Sequence, residues 1–265
     1  MKIFISADIE GVTGTTVWEE TTRGKEVYGE FQEQMTREVA AACEGALAAG
    51  ASEVVVKDAH DTGRNIVGAL LPEGVRLVRG WSRHPYLMMQ ELDASFDAAM
   101  MVGYHDCGGN GGNPLAHTLR SVQYREVTVN GMRVSEFHIN AFTAALEGVP
   151  VAYLSGDRAI CEAAEELLPG IVTTAVKEGR GGATIGIHPG EAVRRIRRGA
   201  EAALTGGRLP RVPELPEFFE VGIVFNDFRE AHRASYYPGA RLAAPGAILF
   251  ETESWFDVLR LLLFV

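Results

Sequence analysis

The sequence predicts an α/β fold with a mostly parallel central sheet flanked by helices, and a smaller α+β unit at the C-terminal end. Short apolar, β-branched segments alternate with helical segments in the first half, which is typical of a parallel sheet covered on both faces. The alternation stops at Asn130-Gly131, a strong signal for a β-hairpin. Three prolines within residues 206–216 then favour a long connection before the last strands.

The first half of the chain contains four predicted strands and two predicted helices. The predicted strands are Lys2–Ala7, Glu53–Lys57, Val75–Val78 and Ala98–Val102. The first helix is predicted over residues 28–49, because Gly50 can end a helix in the left-handed conformation. The second is predicted over residues 85–92. Strands and helices therefore follow one another as in a doubly wound sheet.

The second half is predicted to be more mixed. Residues 127–134 form the hairpin, and Ser135 begins a helix that ends at about Glu147. The remaining predicted elements are a strand at 150–154, a helix at 157–168, a loop at 179–182, a basic helix at 189–204, two or three further strands and a final helix. We expect an α/β metal-binding domain over residues 1–178 and a smaller α+β unit over residues 179–265.

Composition excludes several classes of function. The chain has 265 residues, of which 46% are hydrophobic, and its net charge is −10. Its basic stretch at residues 194–198 follows a helical pattern that is typical of a solvated face. We therefore expect no nucleic-acid partner. Three widely spaced cysteines favour a reducing compartment. The apolar run at residues 259–265 is much shorter than the roughly 20 residues that cross a membrane. We expect a cytoplasmic protein with no membrane partner.

Side chains that can bind a metal ion follow three of the predicted parallel strands. The first strand runs into Asp8 and Glu10, the second into His60 and the fourth into His105. Because the carboxyl ends of parallel strands share one edge of a sheet, these side chains are expected to meet in one crevice. Carboxylates mixed with imidazoles suit zinc, manganese or iron better than calcium. Glu136, in the first turn of the helix after the hairpin, is the expected fifth ligand.

Each of these residues also has an ordinary structural interpretation when taken singly. A carboxylate after a strand can cap a turn, Glu136 can complement a helix dipole, and a single histidine is more often a hydrogen-bonded loop residue. The coincidence at three strand ends favours the metal site. His117 follows the glycine-rich loop at residues 108–112 and is either a catalytic residue on a closing loop or a solvated loop residue. Cys107 is a less favoured alternative ligand.

Several motifs follow one another in the same order as in a known family. They are Ser6–Gly11, Lys57–His60, Gly103–His105, Ser135–Glu136 with Asn140–Ala141, Val149–Val151, Ser155–Asp157, Glu165–Leu167, Thr173–Lys177 and, more weakly, Pro238–Gly239. In these motifs the chain resembles the DppA family of zinc D-aminopeptidases, which are encoded in dipeptide-transport operons. The resemblance covers essentially the whole chain.

The resemblance implies an aminopeptidase that hydrolyses short peptides with an N-terminal D-amino acid, such as D-Ala-D-Ala. It implies two zinc ions per chain, held by Asp8, Glu10, His60, His105 and Glu136. Asp8 matches the bridging ligand, and His117 matches the catalytic histidine. It also implies a large, ring-like homo-oligomer, a decamer being one size it allows, and the apolar run at residues 261–265 agrees weakly with such an assembly.

Together with this resemblance, the residues imply metal-assisted amide hydrolysis. A hydroxide that bridges two metal ions attacks the scissile carbonyl, and His117 stabilises the oxyanion or carries a proton to the leaving amine. Two alternatives stay open. A di-metal phosphoesterase uses the same ligand types, although Lys57 and Arg120 do not form a basic cluster. A non-enzymatic binding protein with a structural metal is disfavoured, because closed zinc sites usually use cysteine.

Overall fold

A computed structural model describes residues 1–207 and 209–265 of the chain. The strands in chain order are β1 (Lys2–Ala7), β2 (Glu53–Asp58), β3 (Arg76–Val78), β4 (Ala98–Tyr104), β5 (Tyr124–Val129), β6 (Met132–Arg133), β7 (Val151–Asp157), β8 (Val172–Arg180), β9 (Ala183–Gly186), β10 (Phe219–Phe225), β11 (Ala240–Ala244) and β12 (Ala247–Thr252). The helices are α1 (Trp18–Thr21), α2 (Tyr28–Ala48), α3 (Glu136–Leu146), α4 (Arg158–Leu167), α5 (Pro189–Thr205), α6 (Phe228–Ala234) and α7 (Trp255–Phe264), with short 3-10 turns at Gly68–Leu70 and Leu87–Met89.

The main sheet confirms the predicted fold class. Its strands lie in the order β3-β2-β1-β4-β7-β8-β9, and all neighbours are parallel except β8 and β9. The chain leaves β1 towards β2 on one side and later returns to β4 on the other side. The carboxyl ends of β1 and β4 therefore flank a topological switch point, where open α/β sheets form their ligand crevice.

The second sheet is antiparallel, with the strand order β11-β12-β10-β5-β6. The predicted hairpin is present, and Asn130 and Gly131 have φ angles of 50° and 77°, as a tight turn of this kind requires. Strand β5 pairs with β10, so residues 124–133 share a sheet with residues 219–252, while β9 is the edge strand of the main sheet and α5 packs against that sheet. The division at residue 178 stays a prediction, and the two sheets are interleaved along the chain.

Helix α3 lies between the two sheets. On one side, its Phe137 and Ala141 pack in the core that the main sheet forms with α4. On the other side, Ile139 and Phe142 pack in the core of the second sheet together with Trp255 of α7. Helices α2 and α5 cover the opposite face of the main sheet. Because α3 is buried from both sides, its N-terminus is held firmly at the carboxyl edge of the main sheet.

Two local predictions were wrong, for reasons of backbone geometry. The helix predicted over residues 85–92 is only the 3-10 turn, because Leu87 and Glu91 have positive φ angles of 50° and 76° and cannot continue a right-handed helix. The loop predicted at residues 179–182 is the end of β8 and the turn into β9, where Gly181 has φ 60°. Helix α1 was not predicted.

The apolar C-terminal run is packed mainly within the chain itself. Leu261, Leu262 and Val265 are buried against the second sheet, and Phe264 remains 65% exposed. Apart from Phe264, the run therefore lends little support to an oligomer. No helix within residues 1–207 and 209–265 combines the length and the apolar character needed to cross a membrane.

The loops that follow β1 and β4 are in direct contact, and glycine makes this contact possible. The amide of Asp8 donates to Val102 O and the amide of Gly11 to Gly103 O, both at 2.8 Å. Gly103 has φ 76°, and a Cβ atom there would lie 2.2 Å from Asp8 O. A Cβ on Gly11 would lie 1.7 Å from Tyr104 O. The two loops can thus approach each other only while both positions are glycine.

We expect Gly103→Ala to lower the free energy of unfolding by about 3 kcal/mol or more, since a left-handed alanine and an overpacked contact each cost on the order of 1–3 kcal/mol. Gly131→Ala is the matched control, because Gly131 has nearly the same φ of 77° but no atom of residues 1–207 and 209–265 lies within 4 Å of an added Cβ. It should cost only about 1 kcal/mol. Urea unfolding of both variants measures the difference, and equal losses would show that the Asp8 loop yields to the methyl group.

Candidate metal centre

Five buried side chains converge at the carboxyl edge of the main sheet. They are Asp8 and Glu10 after β1, His60 after β2, His105 after β4 and Glu136 in the first turn of α3. Each is less than a tenth exposed. The structure therefore brings together all five residues that the sequence predicted as metal ligands, and His117 lies beside them.

Asp8 stands between two histidines. Its Oδ1 lies 3.4 Å from Nδ1 of His60, and its Oδ2 lies 3.4 Å from Nε2 of His105. Glu10 Oε2 is 3.0 Å from His60 Nδ1, and Glu136 Oε2 is 3.4 Å from His105 Nε2. One carboxylate thus faces two sets of ligand-type atoms.

These side chains form two groups with the spacing of metal ligands. The groups are Asp8, Glu10 and His60, and His105, His117 and Glu136. Within each group the potential ligand atoms lie within 4.8 Å of one another. The position of Asp8 between the groups is what a bridging carboxylate would need.

Each histidine is oriented by a backbone carbonyl. The accepting oxygens belong to Thr21 for His60 Nε2 (2.8 Å), Asp106 for His105 Nδ1 (2.8 Å) and Leu115 for His117 Nδ1 (2.9 Å). A ring nitrogen that donates to a carbonyl leaves the other nitrogen with a free lone pair, which is the usual arrangement of metal-bound imidazole. The free nitrogen of all three rings faces the carboxylates.

The polar atoms of this cluster fit a bound cation. Within the described part of the chain, both carboxylate oxygens of Glu10 and Nε2 of His105 are buried without a hydrogen bond, whereas buried polar atoms normally have a partner. Burial raises the pKa of Asp8 well above its ordinary value, and the Glu10 carboxylate raises it further. Burial lowers the pKa of His105, but the Glu136 carboxylate outweighs this and brings it to about 10. The carboxylates therefore favour positive charge at this place, and the nitrogen and oxygen donors suit zinc.

A buried lysine supports the loop after β1. Lys177 Nζ donates to Glu10 O and Thr15 O, both at 2.5 Å, and to Thr15 Oγ1 at 2.6 Å. Burial lowers its pKa to about 8. Glu38 accepts from the amide of Thr13 at 3.1 Å in the same loop. From the sequence, Lys177 stands out only as part of a motif, because β8 also contains Glu178 and Arg180 and no local pattern marks this lysine as the buried one.

Asp58 and Asn65 hold the loop that carries His60. The Asp58 carboxylate accepts from the amides of Asn65 (2.5 Å) and Ile66 (2.7 Å) and from Asn65 Nδ2 (2.8 Å). Asn65 Nδ2 also donates to His60 O at 2.7 Å. Asp58 therefore positions the loop and is not itself part of the cluster.

Asn140 ties α3 to the main sheet one turn after Glu136. Its Nδ2 donates to the Tyr104 hydroxyl at 2.8 Å, and that hydroxyl donates to Ser6 Oγ at 2.7 Å. All three side chains are buried. This chain of hydrogen bonds fixes the height of α3 relative to β1 and β4, and with it the position of the Glu136 carboxylate.

His117 is packed against the cluster rather than solvated. Its ring stacks on that of His105, with the centroids 4.4 Å apart, and its Nε2 lies 3.6 Å from Glu136 Oε1. The Trp18 ring packs edge-on against it at 5.4 Å. This geometry suits both a metal ligand and a proton-transfer group. Among the described residues, neither ligand group includes Cys107.

A cavity of about 340 Å³ opens beside the cluster. Asp8, His60, His117 and Glu136 line one side. The other side includes Asp61, Trp81, Arg83, Leu119, Arg120, Leu262 and Leu263. Most of this second set could not be found from the sequence, since these residues come from separate loops and from α7. A volume near the lower end of the range for ligand pockets suits a small substrate.

Comparisons with known proteins find one kind of protein. Residues 1–264 match a protein family described as D-aminopeptidase. A D-aminopeptidase of Bacillus subtilis (strain 168) is 28% identical over 243 residues, which are 91% of this chain and 88% of that protein. The chain is also similar to the solved structure of the zinc-dependent D-aminopeptidase DppA from Bacillus subtilis, described as a self-compartmentalizing protease. That match has a TM-score of 0.92, 26% identity, and covers 99% of this chain and 96% of the other.

Proposed function

Because the chain belongs to the D-aminopeptidase family, we propose that it is a zinc-dependent aminopeptidase that hydrolyses short peptides with an N-terminal D-amino acid, such as D-Ala-D-Ala. The observation that carries this proposal is the pair of buried ligand groups that meet at Asp8. A cavity of small volume beside them offers room for a short peptide.

In this proposal the chain holds two zinc ions. Asp8, Glu10 and His60 would hold one, and Asp8, His105 and Glu136 the other. Three ionised carboxylates carry three negative charges. If the histidines are neutral, a single divalent ion leaves one of these charges uncompensated. When bound, the zinc pair lowers the pKa of a water molecule and polarises the scissile carbonyl.

His117 is proposed to move the proton. Its Nδ1 is fixed by Leu115 O, so Nε2 is the atom that faces the reacting groups. Nε2 can take a proton from the attacking water and then deliver it to the leaving amine. The Trp18 ring and the stacked ring of His105 hold the imidazole in one plane and limit access of bulk water. The Asp61 carboxylate, which lines the same cavity, can receive the free ammonium group of the substrate.

The direct test is hydrolysis by the purified, zinc-containing protein of D-Ala-D-Ala, L-Ala-L-Ala and p-nitrophenyl phosphate, with zinc measured by elemental analysis. We expect about two zinc ions per chain, release of D-alanine and much slower hydrolysis of the L-dipeptide. Faster turnover of the phosphate ester would favour the phosphoesterase alternative. A zinc-loaded protein that cleaves none of the three would favour a binding protein.

We also propose a large homo-oligomer, on the strength of the self-compartmentalizing relative. Several large apolar side chains are more than 60% exposed, namely Val122, Phe228, Tyr236 and Phe264, and contact with other subunits would remove them from water. Light scattering should return a mass several times the 28.7 kDa of one chain. The monomer mass at micromolar concentration would contradict this proposal.

His117→Ala should leave zinc content intact and lower kcat by roughly 10²–10⁴-fold, the usual effect of losing a general acid–base group. KM should change much less, because the interaction is made mainly in the transition state. His232→Ala, at an exposed position on α6, is the control and should behave like the unaltered protein.

The same two measurements separate the other roles of His117. Loss of zinc in His117→Ala, with activity partly restored by added zinc, would make His117 a ligand. An unchanged kcat would remove it from the chemical step.

A further inference from the structure

Two cavities meet at the metal centre and share one wall. The cavity of about 340 Å³ includes Asp8 and Glu136, and a second of about 780 Å³ includes Glu10 and Trp18. The residues common to both walls are His60, Asp61, His117, Leu119 and Arg120. Among the described residues, Arg120 is the one arginine or lysine of this shared wall, so its side chain borders both cavities.

Arg120 is held by neutral acceptors only. One guanidinium nitrogen donates to Gln123 Oε1 at 3.0 Å, and another donates to Leu263 O at 2.9 Å. Within residues 1–207 and 209–265, no carboxylate oxygen lies within 4.0 Å of this group. The side chain is half-buried. The orientation of the guanidinium group is therefore fixed. Among these residues, no carboxylate pairs with its positive charge.

The backbone links Arg120 directly to the metal centre. The preceding residue, Leu119, has φ 61°, and its amide donates to Glu136 Oε1 at 2.7 Å. Two residues before it, the His117 ring stacks on His105. A non-glycine residue in the left-handed region costs on the order of 1 kcal/mol and persists where its surroundings demand it. His117, Leu119 and Arg120, three of the four residues in the segment 117–120, therefore all lie at the metal centre or at the wall of its cavities.

The other cations of the cavity region are less suited to bind an anion. Arg83 is exposed and makes no hydrogen bond through its side chain within the described residues. The Lys57 ammonium is committed to Asp58 O (2.5 Å) and Gly80 O (2.9 Å) and lies 3.8 Å from the centre of the Trp81 ring. A fixed guanidinium is also the better partner for a carboxylate, because it offers two parallel N–H donors.

We propose that Arg120 binds the free α-carboxylate of the substrate, so that the enzyme selects dipeptides and other very short peptides with an unblocked C-terminus. This inference rests on the proposed aminopeptidase function. With the ammonium group at one end of the cavity and the carboxylate at Arg120, the scissile bond of a dipeptide is held beside the metal ligands. Arg120 is thus a specificity-determining residue that takes no part in the bond-breaking step.

The alternative is a purely structural role, in which Arg120 only caps the last turn of α7 through Leu263 O. The test compares kcat/KM for D-Ala-D-Ala and for its C-terminal amide, with the zinc-containing enzyme and its Arg120→Gln variant. The unaltered enzyme should prefer the free acid roughly 10- to 100-fold, the range expected for a hydrogen-bonded charge. Arg120→Gln should lose this preference, mainly through a higher KM for the acid, with less than about 3-fold change for the amide.

Two further variants complete the design. Arg120→Lys keeps the charge but loses the second parallel donor, so it should retain part of the preference. Arg260→Gln removes an exposed arginine of α7, the helix whose Leu263 O accepts from Arg120; Arg260 is paired with Asp257, and its loss should leave the preference unchanged.

Equal losses for acid and amide in Arg120→Gln would show the structural role and overturn the proposal. The proposal would also be overturned if the unaltered enzyme cleaved the amide as fast as the acid. That measurement needs no variant, so it decides the question even if Arg120→Gln does not fold. Both outcomes leave the aminopeptidase function standing. An unaltered, zinc-loaded enzyme that cleaves neither peptide would overturn the proposed function, and the role of Arg120 with it.

Discussion

The position of the Asp8 carboxylate between His60 and His105 is the constraint on which the rest of the structure depends. Its two oxygens lie 3.4 Å from one imidazole nitrogen on each side. Because β1 lies between β2 and β4, a side chain at its carboxyl end has ligand-bearing neighbours on both flanks. The reversal of strand order at this point opens the crevice. A shared carboxylate could not be placed in this way on an edge strand.

This arrangement collects three carboxylates in the protein interior, where charge is expensive unless it is paired. The surrounding structure therefore has to hold them against their mutual repulsion. Lys177 fixes the loop of Glu10 through three short hydrogen bonds, and Glu38 holds the same loop through the Thr13 amide. Asn140 fixes α3 through Tyr104. The rigidity of the site comes from these buried polar contacts as much as from apolar packing.

Much of the candidate site could be predicted from the sequence, because its candidate ligands follow strands with a clear local pattern. Asp8, Glu10, His60 and His105 each come a few residues after a short apolar strand, and Glu136 begins a helix after a recognisable hairpin. The pairing of β5 with β10 could not be predicted, since Val127 meets Ile223 only through tertiary packing. Arg120 and Leu263 are likewise distant in sequence, and the left-handed Leu119 between His117 and Arg120 has no local signal.

Helix α3 belongs to two hydrophobic cores at once, with Phe137 in one and Phe142 in the other. The chain therefore offers no boundary between its two sheets at which it could be recombined with a relative while both cores stay intact. A graft of the antiparallel sheet would have to bring α3 with it, and the graft would then carry Glu136 into the new host. Chimeras joined at the ends of this helix would have mismatched packing on one side of it. The mismatch would shift the helix and displace the Glu136 carboxylate in its first turn.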